Sequence, residues 1–204
     1  VLDKKLLCED NRSFFSEKFI ILPDTYQPNE DEKKISLKDL AKDDLGIPAK
    51  KFVFACFNSH QKILPGIFNL WMNILKKTNE SVLWLYNDNV YSKKNLKKEA
   101  ENLNIDANRL LFANHKPFEE HLKRFNHIDL FLDSFPYNAH TTCSDALRMG
   151  VPVLTLKGKS FASRVATSLL TTMDLNELIT DNFTDYEKLA VKIGKDSNYL
   201  KYLK

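Results

Sequence analysis

The chain has 204 residues, 43% hydrophobic and 28% charged, the balance of a soluble globular protein long enough for one domain, or one domain with part of another. Its net charge of +3 is too small to argue for a nucleic-acid partner. No run approaches the roughly 18 apolar residues of a membrane span and no signal peptide opens the chain. The three cysteines (Cys8, Cys56, Cys143) have no paired spacing, which suits a reducing, cytoplasmic compartment rather than a disulfide framework or a zinc set.

The chain opens on Val1 inside apparent structure, so it reads as a fragment. Residues 19–23 form a short apolar run that predicts a strand, and 23–34 are polar with two prolines, as in a linker. A helix over 37–45 follows, stopped by Gly46 and Pro48. From there strand and helix signals alternate. Strands are predicted over 52–57, 81–86, 109–113, 128–133 and 151–156. Helices are predicted over 65–77, with Pro65 at a position a helix start tolerates, then 91–103, 117–125, 142–149, 161–172, 185–193 and 197–203. Continuous apolar strands alternating with helices argue for an α/β fold with a parallel sheet covered on both faces. The change in character near residue 46 divides the chain into 1–45, a preceding unit's end plus linker, and 46–204, one α/β domain.

In such sheets ligands sit beyond the carboxyl ends of the strands. Three polar loops should therefore meet on one rim: Asn58-Ser59-His60-Gln61-Lys62, Asn114-His115-Lys116, and Ser134 through Thr142. The last leads into a helix as Ala139-His140-Thr141-Thr142-Cys143-Ser144-Asp145. A hydroxyl-rich strand-to-helix junction gathers free backbone N–H groups and the positive end of a helix dipole, a place for phosphate oxygens. Lys62 opposite it could neutralise a pyrophosphate, although a loop lysine taken alone is ordinary surface. Thr141 and Thr142 taken alone are N-cap residues, and His121 with Arg124 shares one helix face. The five glycines form neither a G-x-G-x-x-G fingerprint nor a Walker loop, which argues against dinucleotide dehydrogenases and P-loop enzymes. No D-x-D pair suggests a divalent metal, and Asp43-Asp44 reads as surface charge.

The ordered set Cys56-Phe57-Asn58 with Lys62-Ile63, Ser81-Val82-Leu83-Trp84-Leu85, Glu119-Glu120-His121, Leu132-Asp133 with Asn138-Ala139-His140-Thr141-Thr142, and Ala162-Ser163-Arg164-Val165-Ala166 resembles a known catalytic region. It is similar, over nearly the whole chain, to that of the O-linked N-acetylglucosamine transferase family, glycosyltransferase family 41, in its bacterial form. The resemblance implies a GT-B architecture of two Rossmann-like lobes, of which this chain looks like the second plus the tail of the first. It implies inverting, metal-independent transfer of N-acetylglucosamine from UDP-GlcNAc, with no cofactor, to Ser or Thr of a protein acceptor. The first lobe and the family's tetratricopeptide repeats would lie upstream, so the fragment alone is expected to bind donor weakly and turn over little.

By position, Lys62 would contact the donor diphosphate and offset its charge as it leaves, a catalytic role it would share with His140, and Asn58 and Ser59 would help bind the donor from the same loop. Thr141 and Thr142 would hold the same phosphates and His140 would lie near sugar and phosphate. Asp145 would face the ribose, and His121 and Arg124 would help form the uridine pocket. Ser59 stands where animal enzymes carry a glutamine, and Phe118 where they carry a lysine. The fucosyltransferase branch has threonines before its hydroxyls, so His140 and Glu119-Glu120-His121 lean toward UDP-GlcNAc. The alternatives are another donor or acceptor on the same fold, as in protein O-fucosyltransferases and asparagine glucosyltransferases, or a non-catalytic nucleotide-sugar-binding remnant.

Overall fold

The computed structural model describes residues 1–7, 9–29 and 41–204. Its main sheet has six parallel strands: β3 (Phe52–Cys56), β4 (Ser81–Tyr86), β5 (Leu110–Ala113), β6 (Leu130–Leu132), β7 (Val153–Leu156) and β8 (Ile179–Thr180), in the order β5-β4-β3-β6-β7-β8. A pair ahead of it, β1 (Leu2–Asp3) and β2 (Ile21–Leu22), is also parallel. Successive strand residues point to opposite faces, and nearly all of those in β3, β4, β6 and β7 are buried. Both faces must therefore be covered, which explains why these strands are apolar runs rather than alternating patterns.

The cover is helical. Helix α1 (Pro65–Lys77) turns Ile67, Phe68, Trp71, Met72, Ile74 and Leu75 inward and packs against α6 (Phe183–Lys195), which also lies on β7. Helices α4 (Thr141–Arg148) and α5 (Val165–Thr172) pack together against β7. Helix α2 (Val90–Asn102) is capped by Asn89 Oδ1, which accepts from the Ser92 N–H at 2.8 Å. Helices α3 (Phe118–Lys123) and α7 (Ser197–Leu203) are the others among the described residues. Gly150, at φ +70°, ends α4, with the Val151 N–H returning to Ala146 O at 2.9 Å. Among the described residues no helix is long and apolar enough to cross a membrane.

The N-terminal segment is fastened to this body through Asp3, which is fully buried. Its carboxylate accepts from the N–H groups of Lys5 (2.9 Å), Leu6 (3.1 Å) and Tyr26 (3.0 Å) and from Ser168 Oγ of α5 (2.8 Å). The guanidinium of Arg164 donates twice to Lys5 O, at 3.0 and 2.7 Å.

Several boundaries differ from the sequence expectations. The strand expected over 19–23 pairs only at Ile21–Leu22. Of the helix expected over 37–45, a 3-10 turn at Asp43–Leu45 is seen, closed by Gly46 at φ +66°, and residues 37–40 lie outside the described residues. The helix expected over 161–172 is a 3-10 turn, Phe161–Ser163, followed by α5, with Arg164 in non-helical geometry between them. The helix expected over 117–125 is α3 continued by a 3-10 turn, Arg124–His127. Strands β1 and β8 were not anticipated.

Candidate functional site

Strands β3 and β6 are sheet neighbours although β4 and β5 separate them in sequence, so the strand order reverses direction there. A crevice at such a switch point is where open parallel sheets bind ligands. The loop leaving β3 carries Asn58 and Lys62; the loop leaving β6 carries Asp133 through His140 and enters α4.

Asp133 organises the second loop. Its carboxylate, fully buried, accepts from the Ala139 N–H and from Thr155 Oγ1, both at 2.6 Å, while Tyr186 OH donates to its carbonyl at 3.0 Å. Burial pushes its carboxyl up to about 7, against the pull of those hydrogen bonds and of the Lys62 charge. Asn58 then ties the two loops together. Its Nδ2 donates to Ser134 Oγ at 2.6 Å and its Oδ1 accepts from Thr142 Oγ1 at 2.5 Å. Ser134 Oγ in turn donates to Tyr137 O at 2.7 Å. With Asn58 and Ser134 both buried, this bracing fixes where α4 begins relative to β3.

Lys62 reaches across the same gap. Its Nζ donates to Asn138 O at 3.1 Å and lies 4.0 Å from the centroid of the Tyr137 ring. Burial lowers its pKa, and the nearby Asp133 works in the opposite direction. His140 occupies the N-cap of α4 but makes no side-chain cap. Thr141, one residue ahead of the expected helix start, is the first helical position and Thr142 the second. The N–H groups of Cys143 and Ser144 turn back to His140 O, both at 3.1 Å, and among the described residues nothing accepts from those of Thr141 and Thr142.

The His140 imidazole lies nearly parallel to Tyr137 (5.1 Å, 25°), and its Nδ1 is 2.9 Å from Tyr26 OH. Its Nε2 is buried without a partner. Burial first, then the Lys62 cation, lower its pKa to about 4, against a raising contribution from the Ala162 carbonyl, so the ring is neutral at pH 7. Lysine, helix terminus, hydroxyls and neutral imidazole together can hold an anion and stabilise negative charge that grows on it.

Thr141, Ser144, Asp145 and Arg148 line a cavity of about 490 Å³ with Gln27 and Phe118. Phe118 also borders a second cavity of about 340 Å³, shared with Phe57, Tyr86, His115, His121 and Arg124. His121 Nε2 stands 3.6 Å from Asp145 Oδ2 between the two cavities, its ring edge-on to Phe125 at 5.2 Å. Arg124 is 1% exposed; its Nη1 donates to Asn114 O at 3.1 Å, while Nε and Nη2 are buried without partners. Burial lowers its pKa, and Tyr86 and Glu120 oppose that shift.

The structure thus gathers Asn58, Lys62, His140, Thr141 and Thr142 at the switch point and sets Asp145, His121 and Arg124 along the adjoining cleft. The exposed Ser59 side chain is engaged elsewhere, donating to Asp88 Oδ2 at 3.3 Å. Among the described residues no cluster of three or more His, Cys, Asp or Glu could hold a metal ion. Sequence reasoning missed Tyr26, Gln27 and Ser144. Gln27 Nε2 donates to Thr141 Oγ1 across a long 3.4 Å, and Ser144 Oγ is buried without a partner. The helical spacing of Thr141, Ser144, Asp145 and Arg148 was the available signal for Ser144; nothing local marked Tyr26 or Gln27.

Residues 23–204 match the model of a family described as glycosyl transferase family 41. The chain is 34% identical over 196 residues to a probable UDP-N-acetylglucosamine–peptide N-acetylglucosaminyltransferase, SEC, of Arabidopsis thaliana, covering 93% of this chain and 20% of that protein. Identity to the UDP-N-acetylglucosamine–peptide N-acetylglucosaminyltransferase of Caenorhabditis elegans is 34% over 154 residues, 76% of this chain and 13% of that protein. The chain therefore spans a fifth or less of these two relatives. Among solved structures, an O-GlcNAc transferase mutant from Thermobaculum terrenum superposes with a TM-score of 0.87 at 29% identity, covering 98% of this chain and 38% of that one. A structure of S. aureus TarM, at 12% identity and a TM-score of 0.50, shares the fold.

Proposed function

The chain belongs to glycosyltransferase family 41, and we propose that its residues 46–204 are the nucleotide-sugar half of a protein O-GlcNAc transferase, with 1–45 the end of the first catalytic lobe and the connection between lobes. The reaction is inverting. A Ser or Thr hydroxyl oxygen of the protein acceptor attacks the anomeric carbon of N-acetylglucosamine as the bond to UDP breaks on the opposite face. The bonding pair leaves on the diphosphate, and the hydroxyl proton passes to a base on the acceptor side.

This chain serves the leaving group. Lys62 offsets the charge growing on the diphosphate, and Thr141 and Thr142 offer it hydroxyls and the free N–H groups of the first helical turn. These groups supply the stabilisation that a divalent cation supplies in other transferases. His140 lies beside phosphate and sugar, with Asn58 holding the site together. Asp145 takes the ribose, and His121, Arg124 and Phe118 enclose the base in the smaller cavity. A keto oxygen on the base would satisfy the unpartnered Arg124 donors. Ser59 borders the phosphates, its hydroxyl free to exchange Asp88 for the ligand.

One observation carries this reading: Lys62 and the start of α4 are joined across the β3–β6 switch point, through Asn138 and through the Asn58–Thr142 bond. Isothermal titration calorimetry with UDP, GDP and UMP tests it. UDP should bind, UMP more weakly for want of the second phosphate, and GDP more weakly still. No UDP binding would remove the proposal. In the complete protein, competition between UDP-GlcNAc, other UDP-hexoses and GDP-fucose separates the donor alternatives.

A further inference from the structure

Tyr26 lies 114 residues before His140, in the stretch that the sequence marks as linker, yet its hydroxyl is 2.9 Å from His140 Nδ1. We infer that Tyr26 is a positioning residue: its hydroxyl donates to His140 Nδ1, holds the imidazole in the Nε2–H tautomer, and so makes Nε2 a hydrogen-bond donor toward the diphosphate or sugar. The ligand in this inference rests on the donor-site reading above; the tautomer does not.

A neutral imidazole carries one N–H, and the contact can be made in two ways. If Nδ1 donates to the phenol oxygen, the phenol hydrogen finds no other acceptor among the described residues and must turn to solvent from a half-buried position, and the buried Nε2 becomes a bare lone pair. Toward an anion that lone pair is repulsive. If the phenol donates instead, its hydrogen and the Nδ1 lone pair are satisfied by one bond, and Nε2 carries a proton suited to a phosphate oxygen. Burial and the neighbouring Lys62 keep the ring neutral against the opposing pull of the Ala162 carbonyl, so the choice of tautomer decides what Nε2 offers.

The surroundings hold both partners still. The Tyr26 N–H is bonded to buried Asp3 at 3.0 Å, and its ring stands edge-on to Phe161 (5.0 Å, 77°). Tyr137 stacks on the imidazole (25°) while Tyr26 meets it edge-on (87°). The following residue, Gln27, reaches the following site residue, Thr141. The connecting segment thus runs beside the beginning of α4 and contributes to the site's wall.

The test is a long-range ¹H–¹⁵N correlation spectrum of the intact chain labelled in its five histidines, at pH 7 without ligand, with His140 assigned from His140→Gln. His140 should show an unprotonated Nδ1 and a protonated Nε2, and Tyr26→Phe should give a mixture of tautomers. A predominant Nδ1–H form in the unmodified protein, or an unchanged spectrum in the variant, overturns the inference. Should Tyr26→Phe fail to fold, as circular dichroism would show, the spectrum of the unmodified chain still decides. Adding UDP should shift the Nε2 resonance, and the variant should bind UDP about fivefold more weakly, the worth of one ordinary hydrogen bond. A chain in the Nε2–H form that ignores UDP would remove the donor-site reading and leave the tautomer assignment standing.

Discussion

Arg124 is the one lysine or arginine among the described residues that is buried, at 1% exposure, and two of its nitrogens have no partner. Each unsatisfied buried donor costs about 1–3 kcal/mol. Arg124→Met removes both and keeps much of the apolar stem. It also gives up the Nη1 bond to Asn114 O and the guanidinium's position over the Phe57 ring at 5.5 Å, about 1 kcal/mol each. The balance favours the variant by about 2 kcal/mol, or about 4–8 °C in Tm for a domain of this size. UDP binding should move the other way. Losing a charge-assisted bond to the base costs about 1.5–3 kcal/mol, roughly 10- to 100-fold in Kd. Arg124→Lys keeps the charge without the planar fork and should also bind poorly. Differential scanning fluorimetry without ligand and calorimetry with UDP give the two readings. A Tm lowered by more than about 5 °C, or a Kd within about twofold of the parent, would refute the reasoning that this arginine is kept for a ligand at some expense to the fold.

Lys62→Met should weaken UDP by about 30-fold, near the middle of the range for a charge-assisted contact, and flatten its salt dependence, whereas exposed Lys98→Met should change neither. Asp133 gives a pH signature. Its carboxyl rises on folding from 3.8 to about 7, so folding favours the protonated form; that contribution is complete below about pH 4 and is lost as pH climbs to about 7. Relative to Asp133→Asn, the parent should lose roughly 2–4 kcal/mol between pH 4 and 8 in urea titrations, and a constant difference would count against the buried carboxyl. Gly158→Ala would drive its Cβ into Ser163 Oγ and Cβ. It should cost about 1–3 kcal/mol, and an unchanged Tm would mean the loop after β7 yields freely.

The sheet was legible because its strands are long apolar runs punctuated by turns. Helices α1 and α7 and strand β4 fall at the expected residues, since Pro65, Asp196 and the 78–80 turn mark their ends chemically. Strands β1 and β8 escaped notice because two residues cannot display a period of two. The break at Arg164 was invisible because its cause is remote: that side chain leaves α5 to bond Lys5 O. At the site, the rule that ligands gather beyond strand ends singled out Lys62, His140, Thr141 and Thr142, which need only topology to meet. Tyr26 and Gln27 needed knowledge of how a polar connection crosses the molecule, and no local pattern encodes that.

The four donors converging on Asp3 bear on where the lobe can be cut for expression. A truncation at residue 46 would spare every strand of the six-stranded sheet and should still yield a folded protein. It would also discard the phenol facing His140 and the amide beside Thr141, and strip Ser168 of its acceptor. Such a shortened product would look intact by spectroscopy while presenting a cleft open along one flank, and a poor ligand response from it would report the missing wall rather than the chemistry of the residues that remain.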